Sequence, residues 1–150
     1  MERIKSFQRD HTKIEAGLYL QETKRNVDIY DLRFVRPNTE FIDIKAIHTI
    51  EHLFASYLKS KQCLISSNVI SFCVGGCQTM FYLEVFNDSG CSPAEVMQSI
   101  RLCCDWALDQ SEVIGATEAE CGNYRSHDLP EAKRWIKKYK KVLDNYTFMC

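Results

Sequence analysis

Two of the chain's four histidines stand four residues apart, in the run His48-Thr49-Ile50-Glu51-His52. At about 100° per residue, positions i and i+4 of an α-helix lie about 40° apart, so both imidazoles leave one face. Two such rings can chelate one ion without backbone strain. Glu51 lies about 60° from His48 on the same face, near enough to act on a bound group without ligating the ion. Two rings do not make a site, since catalytic zinc-type centres take roughly three protein ligands and keep one position open. The polar stretch Glu118 to Arg125 offers Cys121, followed by Gly122, as a third ligand. On spacing alone Glu118 and Glu120 are its rivals. Cys77 is the other thiol placed for chemistry, because Gly75-Gly76 before it lets backbone approach a ligand closely. A neighbouring positive charge would favour its thiolate and fit it to shuttle protons.

These residues need elements to carry them. Val27 to Val35 alternates, with Tyr30, Leu32 and Phe34 on one side and Asp31 and Arg33 on the other, which predicts a half-buried strand. It stops at the turn-forming Arg36-Pro37-Asn38. From Ile44 to Lys59 the apolar residues recur at helical spacing, with Asp43 as N-cap, so both histidines ride on a helix. Val69 to Val74 and Gln78 to Phe86 read as strands around Gly75-Gly76, forming either a hairpin or a kinked strand. Ser92-Pro93-Ala94-Glu95 is a capping box, and Asp128-Leu129-Pro130-Glu131 repeats the device, so each opens a helix. The order of elements predicts an α+β, two-layer domain: a largely antiparallel sheet with helices packed on one face.

Composition fits one domain over residues 1–150, a length that buries about 70% of the unfolded surface without staples. A hydrophobic content of 45% and a charged content of 26% are those of a soluble globular protein. The formal charge of −1 gives no reason to expect nucleic acid or an anionic membrane as partner. Lys137, Lys138, Lys140 and Lys141 alternate with apolar residues and read as the wet face of a helix. Eight cysteines would suit a disulfide framework only in a secreted protein. Met1 to Asp10 lacks the apolar segment of a signal peptide, and no run approaches the ~20 residues needed to span a bilayer. The expectation is therefore a cytoplasmic protein with reduced thiols, most of them small core residues.

The chain resembles the S-ribosylhomocysteine lyases called LuxS. The likeness runs in family order along nearly the whole chain, through Ser6-Phe7 with Asp10-His11 and Asp31-Leu32-Arg33-Phe34 with Pro37-Asn38. It continues through His48 to Leu53, Gly76-Cys77-Gln78-Thr79 with Phe81-Tyr82-Leu83, and Glu120-Cys121-Gly122 with His127-Asp128-Leu129. The resemblance implies a homodimer with active sites at its interface. It also implies one divalent ion per subunit on His48, His52 and Cys121, iron(II) natively, with zinc or cobalt possible. It assigns Glu51 and Cys77 as the acid/base pair and Ser6, His11 and Arg33 as groups around the substrate. The implied reaction converts S-ribosylhomocysteine to homocysteine and 4,5-dihydroxy-2,3-pentanedione, the precursor of autoinducer-2, in the activated methyl cycle. His127 reads as part of the entry to the last helix.

Two departures accompany the likeness. Ser71 stands where the family carries an acid, with no Asp or Glu between Glu51 and Glu84, and Met80 replaces a family glycine. The first would remove a carboxylate near the amino-acid end of the substrate, and the second would narrow the pocket. The alternatives are a related thioether sugar as substrate, or a metallopeptidase, since His-x-x-Glu-His is also the inverzincin order. A metal-stabilised binding module with a closed four-ligand site is the non-enzymatic reading.

Overall fold

A computed structural model describes residues 4–88 and 91–145, apart from the side chains of Lys5 and Ser6. After a short helix, α1 (Lys5–Gln8), come strands β1 (Gly17–Lys24) and β2 (Val27–Arg33). Helix α2 (Ile44–Leu58), strands β3 (Val69–Val74) and β4 (Met80–Phe86), and helices α3 (Pro93–Asp109) and α4 (Leu129–Asp144) follow. The strands form one antiparallel sheet in the order β1-β2-β4-β3. Helices α2, α3 and α4 pack on one another, with α2 against β3 and α4 against β1. This is the α+β arrangement expected from the order of elements.

Local chemistry explains where each element stops. The Asp43 carboxylate accepts from the Lys45 N–H at 2.9 Å and opens α2, whose buried face runs through Ala46, Ile47, Ile50, Leu53, Phe54, Tyr57 and Leu58. Ser92 and Glu95 form the reciprocal capping box of α3, and Asp128 accepts from Glu131 N to open α4. Strand β2 leaves the ladder two residues earlier than the alternation suggests. The amides of Phe34 and Val35 both turn to the Thr79 carbonyl, at 3.0 and 3.3 Å, instead of continuing the pairing. The β3–β4 connection is a hairpin whose turn holds Gln78 in the left-handed region, at φ 59°.

Strand β1 and helix α1 carry no clear signal in the sequence. A register shift between Leu20 and Glu22 breaks the period of β1, and Leu20 is exposed on a strand that otherwise pairs normally. The β1–β2 link is tight, with Arg25 at φ 56°.

The core sits between the sheet and the helices. Phe34 stacks on Tyr139 of α4 with ring centroids 4.0 Å apart and meets Phe81 edge-on at 5.0 Å. The Tyr139 hydroxyl donates to the Gly17 carbonyl at 3.0 Å, joining α4 to β1. Asp31 and Arg33 correct the expectation of a wet second face on β2. Both are buried, at 0% and 3% exposure, because arginine and carboxylate partners cover them on the side away from the helices. Phe34→Ala is expected to cost about 3–5 kcal/mol, read as a lower urea midpoint with an unchanged slope.

Candidate active site

The His48, His52, Cys121 and His127 donor atoms all lie within 4.8 Å of one another. They come from one turn of α2 and from the loop between α3 and α4. The loop closes over the helix because its main chain supplies acceptors to the rings. His48 Nδ1 bonds the Ser126 carbonyl at 2.8 Å, and His52 Nδ1 bonds the Ile114 carbonyl at 2.9 Å. A carbonyl can only accept, so in both rings Nδ1 carries the hydrogen and Nε2 presents its lone pair. That tautomer is the one a metal ligand needs.

His127 is oriented through a hydroxyl. Buried Thr49 donates to the Lys45 carbonyl at 2.8 Å, which leaves its oxygen to accept from the Asp128 N–H at 2.9 Å and from His127 Nδ1 at 3.2 Å. His127 Nε2 therefore also faces the cluster. Burial, followed by repulsion from His48 and His52, pushes the His127 ring down to about 4, so it is neutral at pH 7. The Cys121 sulfur lies 3.4 Å from His48 Nε2 and 3.9 Å from His127 Nε2. It also accepts the Asn123 N–H at 3.4 Å.

Two imidazoles anchored through Nδ1 with Nε2 left toward the cluster, together with a buried sulfur, suit a single divalent ion. Glu118 and Glu120, equal to Cys121 on spacing, are not in this cluster; Glu120 accepts from the Thr117 hydroxyl at 2.6 Å instead. The geometry also places His127 at the centre as well as at the helix entry where the sequence put it. The missed signal was the position of Thr49, which sits between the two histidines of α2 and reaches forward to hold the third ring.

Beside the cluster opens a cavity of about 390 Å³, lined by Glu51, His52, Ser56, Phe72 and Glu120 among others. Glu51 faces it as the helical spacing requires. Cys77 is not in this lining. It is exposed at the β3–β4 turn, 2.9 Å from the Thr79 hydroxyl, and Arg33 Nη1 approaches its sulfur at 3.8 Å. Arg33 also donates to Thr79 at 2.8 Å and to Asp31 at 2.6 Å. His11 bonds the Arg9 carbonyl through Nδ1 at 2.9 Å, and Arg9 donates to Asp31 at 3.1 Å, so the His11 segment is tied to the Arg33 group. The Ser6 side chain lies outside the described residues.

The family model for S-ribosylhomocysteinase (LuxS) matches residues 4–148. A Thermus thermophilus protein named S-ribosylhomocysteine lyase is 39% identical over 149 residues, covering 95% of this chain and 92% of its own. Proteins of the same name from Borreliella burgdorferi and Clostridium perfringens are 36% and 33% identical over 151 residues, covering 97% of this chain and 94% of theirs. This chain belongs to the LuxS family.

Against the LuxS pattern, both departures have a local structural answer. Ser71 pairs with Glu84 across β3 and β4, and its hydroxyl donates to the Glu84 carboxylate at 2.7 Å. The Glu84 carboxylate of the neighbouring strand therefore lies against Ser71. Met80 is not in the lining of the cavity beside the donor cluster. It is buried at 1% exposure, and its sulfur fills the space beside Gly75, where a Cβ would lie only 2.2 Å from it. Met80 therefore occupies the volume that a side chain at position 75 would need. Gly75→Ala is expected to cost about 1–3 kcal/mol by overpacking. A double-mutant cycle should show that cost shrinking by about 1 kcal/mol when Met80 is already alanine.

Proposed function

We propose that the chain is an S-ribosylhomocysteine lyase, cleaving S-ribosyl-L-homocysteine to homocysteine and 4,5-dihydroxy-2,3-pentanedione, the autoinducer-2 precursor. The observation that carries this reading is the convergence of two lone-pair-bearing imidazoles and a buried thiol beside the cavity that Glu51 enters. His48, His52 and Cys121 are the proposed ligands of one divalent ion, iron(II) natively, with zinc or cobalt able to substitute. Bound there, the ion supplies Lewis-acid stabilisation of negative charge on a sugar oxygen.

A thioether sulfur is a poor leaving group until the carbon next to the C–S bond is acidified by a neighbouring carbonyl. After the ribose opens to its aldehyde, the carbonyl must migrate along the sugar. Each shift takes a proton from one carbon and returns one to the next. Glu51, on the helix beside the ion, and Cys77, beside Arg33, are the proposed pair that moves these protons. Elimination then breaks the C–S bond, and a proton returned to the sulfur yields the homocysteine thiol. The products together contain the atoms of the substrate, so neither water nor an external oxidant is consumed. Arg33, His11 and Ser6 are the proposed substrate contacts.

His127 is the one feature that could favour a closed, non-catalytic site. Its ring stacks on His48 with centroids 4.1 Å apart and planes only 21° from parallel, whereas the His48 and His52 planes cross at 85°. A ring's lone pair lies in its own plane, so two nearly parallel rings aim poorly at one ion. This favours three protein ligands with one position left open. A peptidase would more usually add a carboxylate ligand, and the donor cluster contains none.

The proposed assembly is a cytoplasmic homodimer with active sites at the interface. Supporting this, Cys77 and Arg33 form a group separate from the cavity that holds Glu51, and a second subunit could bring the two together. The described cysteines are all free thiols. Among the described residues no helix is long and apolar enough to cross a membrane.

Protein loaded with iron(II) or cobalt(II) is expected to release free thiol from S-ribosylhomocysteine. Cys77→Ala should abolish that release while leaving metal content near normal. A fully metallated protein that releases no thiol would sink the assignment. Cys121→Ala is expected to lose the ion, and with it the sulfur-to-metal charge-transfer band of the cobalt form. Glu118→Ala and Glu120→Ala should keep both. Loss of the ion in either glutamate variant instead would overturn the ligand set.

A further inference from the structure

Asp31 is fully buried, yet its Oδ2 accepts from two guanidinium groups, Arg33 at 2.6 Å and Arg9 at 3.1 Å. Its Oδ1 and the Nε of Arg33 are buried with no hydrogen-bond partner among the described residues. Such an arrangement is a poor way to stabilise a sheet. Buried ion pairs repay their desolvation only when every lone pair and proton is satisfied, and apolar replacements are often more stable. What the carboxylate does achieve is geometric. It holds one end of the Arg33 guanidinium, so the opposite nitrogen, Nη1, is turned to Thr79 at 2.8 Å and to the Cys77 sulfur at 3.8 Å.

The charges support the same role. One carboxylate between two guanidinium groups leaves a net charge of about +1 in the cluster, and Arg33 is the member that faces the thiol. Arg9 also lies 6.0 Å over the Tyr19 ring, and burial, with Asp31 next in weight, raises the Tyr19 phenol. Tyr19 therefore stays neutral and does not cancel that charge.

We infer that Asp31 is a positioning residue for the proposed reaction: it holds Arg33 against Thr79 and Cys77 without touching substrate. The inference rests on the lyase reading only for what the thiolate is used for. Two roles for Asp31 predict opposite signs when its charge is removed. If Asp31 merely lowered the local positive charge, Asp31→Asn would leave two arginines and make Cys77 more reactive. If it positions Arg33, the same change frees the guanidinium and makes Cys77 less reactive.

The experiment is pH-dependent alkylation of the metal-loaded protein by iodoacetamide, with modification at Cys77 followed by peptide mass spectrometry and exposed Cys73 as internal reference. In Asp31→Asn the Cys77 rate at pH 7 should fall roughly tenfold relative to Cys73 as Arg33 leaves the sulfur. Turnover, kcat/KM, should fall roughly 10–100-fold with metal content unchanged. Asp31→Glu keeps the buried charge, and with it the fold, but moves the carboxylate by one methylene. It should show the same direction with a smaller effect. An unchanged or faster Cys77 rate in a folded Asp31→Asn, or a native profile in Asp31→Glu, would overturn the inference. Because alkylation needs no turnover, it decides the role of Asp31 even if native protein releases no thiol.

Discussion

Two main-chain carbonyls in the α3–α4 loop determine what the histidines of α2 can do. An imidazole on a helix is free to rotate and to exist as either tautomer, and in that state it is a weak and undirected ligand. The Ile114 and Ser126 carbonyls remove both freedoms at once, accepting from Nδ1 and leaving Nε2 as the exposed lone pair. The same loop delivers Cys121, with an amide donated to its sulfur. The loop thus contributes a ligand candidate and also orients the other two.

Thr49 performs the corresponding task from the helix side. Its hydroxyl is saturated, with one hydrogen given to the helix and two lone pairs filled by Asp128 N and His127 Nδ1. A single buried oxygen thereby opens α4 against α2 and fixes the third ring. The cavity beside this cluster and the Arg33–Cys77 group at the β3–β4 turn form two separate patches of chemistry on one subunit. For the proposed proton transfers both must meet one substrate, which is why the proposed homodimer matters to the proposed function.

The two departures from the LuxS pattern each sit against a neighbour across the β3–β4 hairpin. Met80 occupies the space that a side chain at position 75 would need, and Glu84 puts its carboxylate against Ser71. Read along the chain, one substitution removes an acid and the other adds bulk. Each has a compensating partner that is a neighbour across the hairpin, separated by several residues in sequence but adjacent in register.

The sequence by itself determined what rests on local periodicity and local hydrogen bonding. The helix that carries His48, Glu51 and His52, the capping boxes of α3 and α4, and three of the four strands follow from spacing within a few residues. Strand β1 was lost because a bulge breaks its period. Only the tertiary structure decided the rest, since each remaining fact is a contact between segments far apart in the chain. It brought Cys121, not Glu118 or Glu120, to the histidines. It added His127 through Thr49, and it buried Asp31 and Arg33 on a face that alternation alone assigns to water. Periodicity can say which side of a strand a residue occupies, but whether that side is wet depends on what the rest of the chain lays over it.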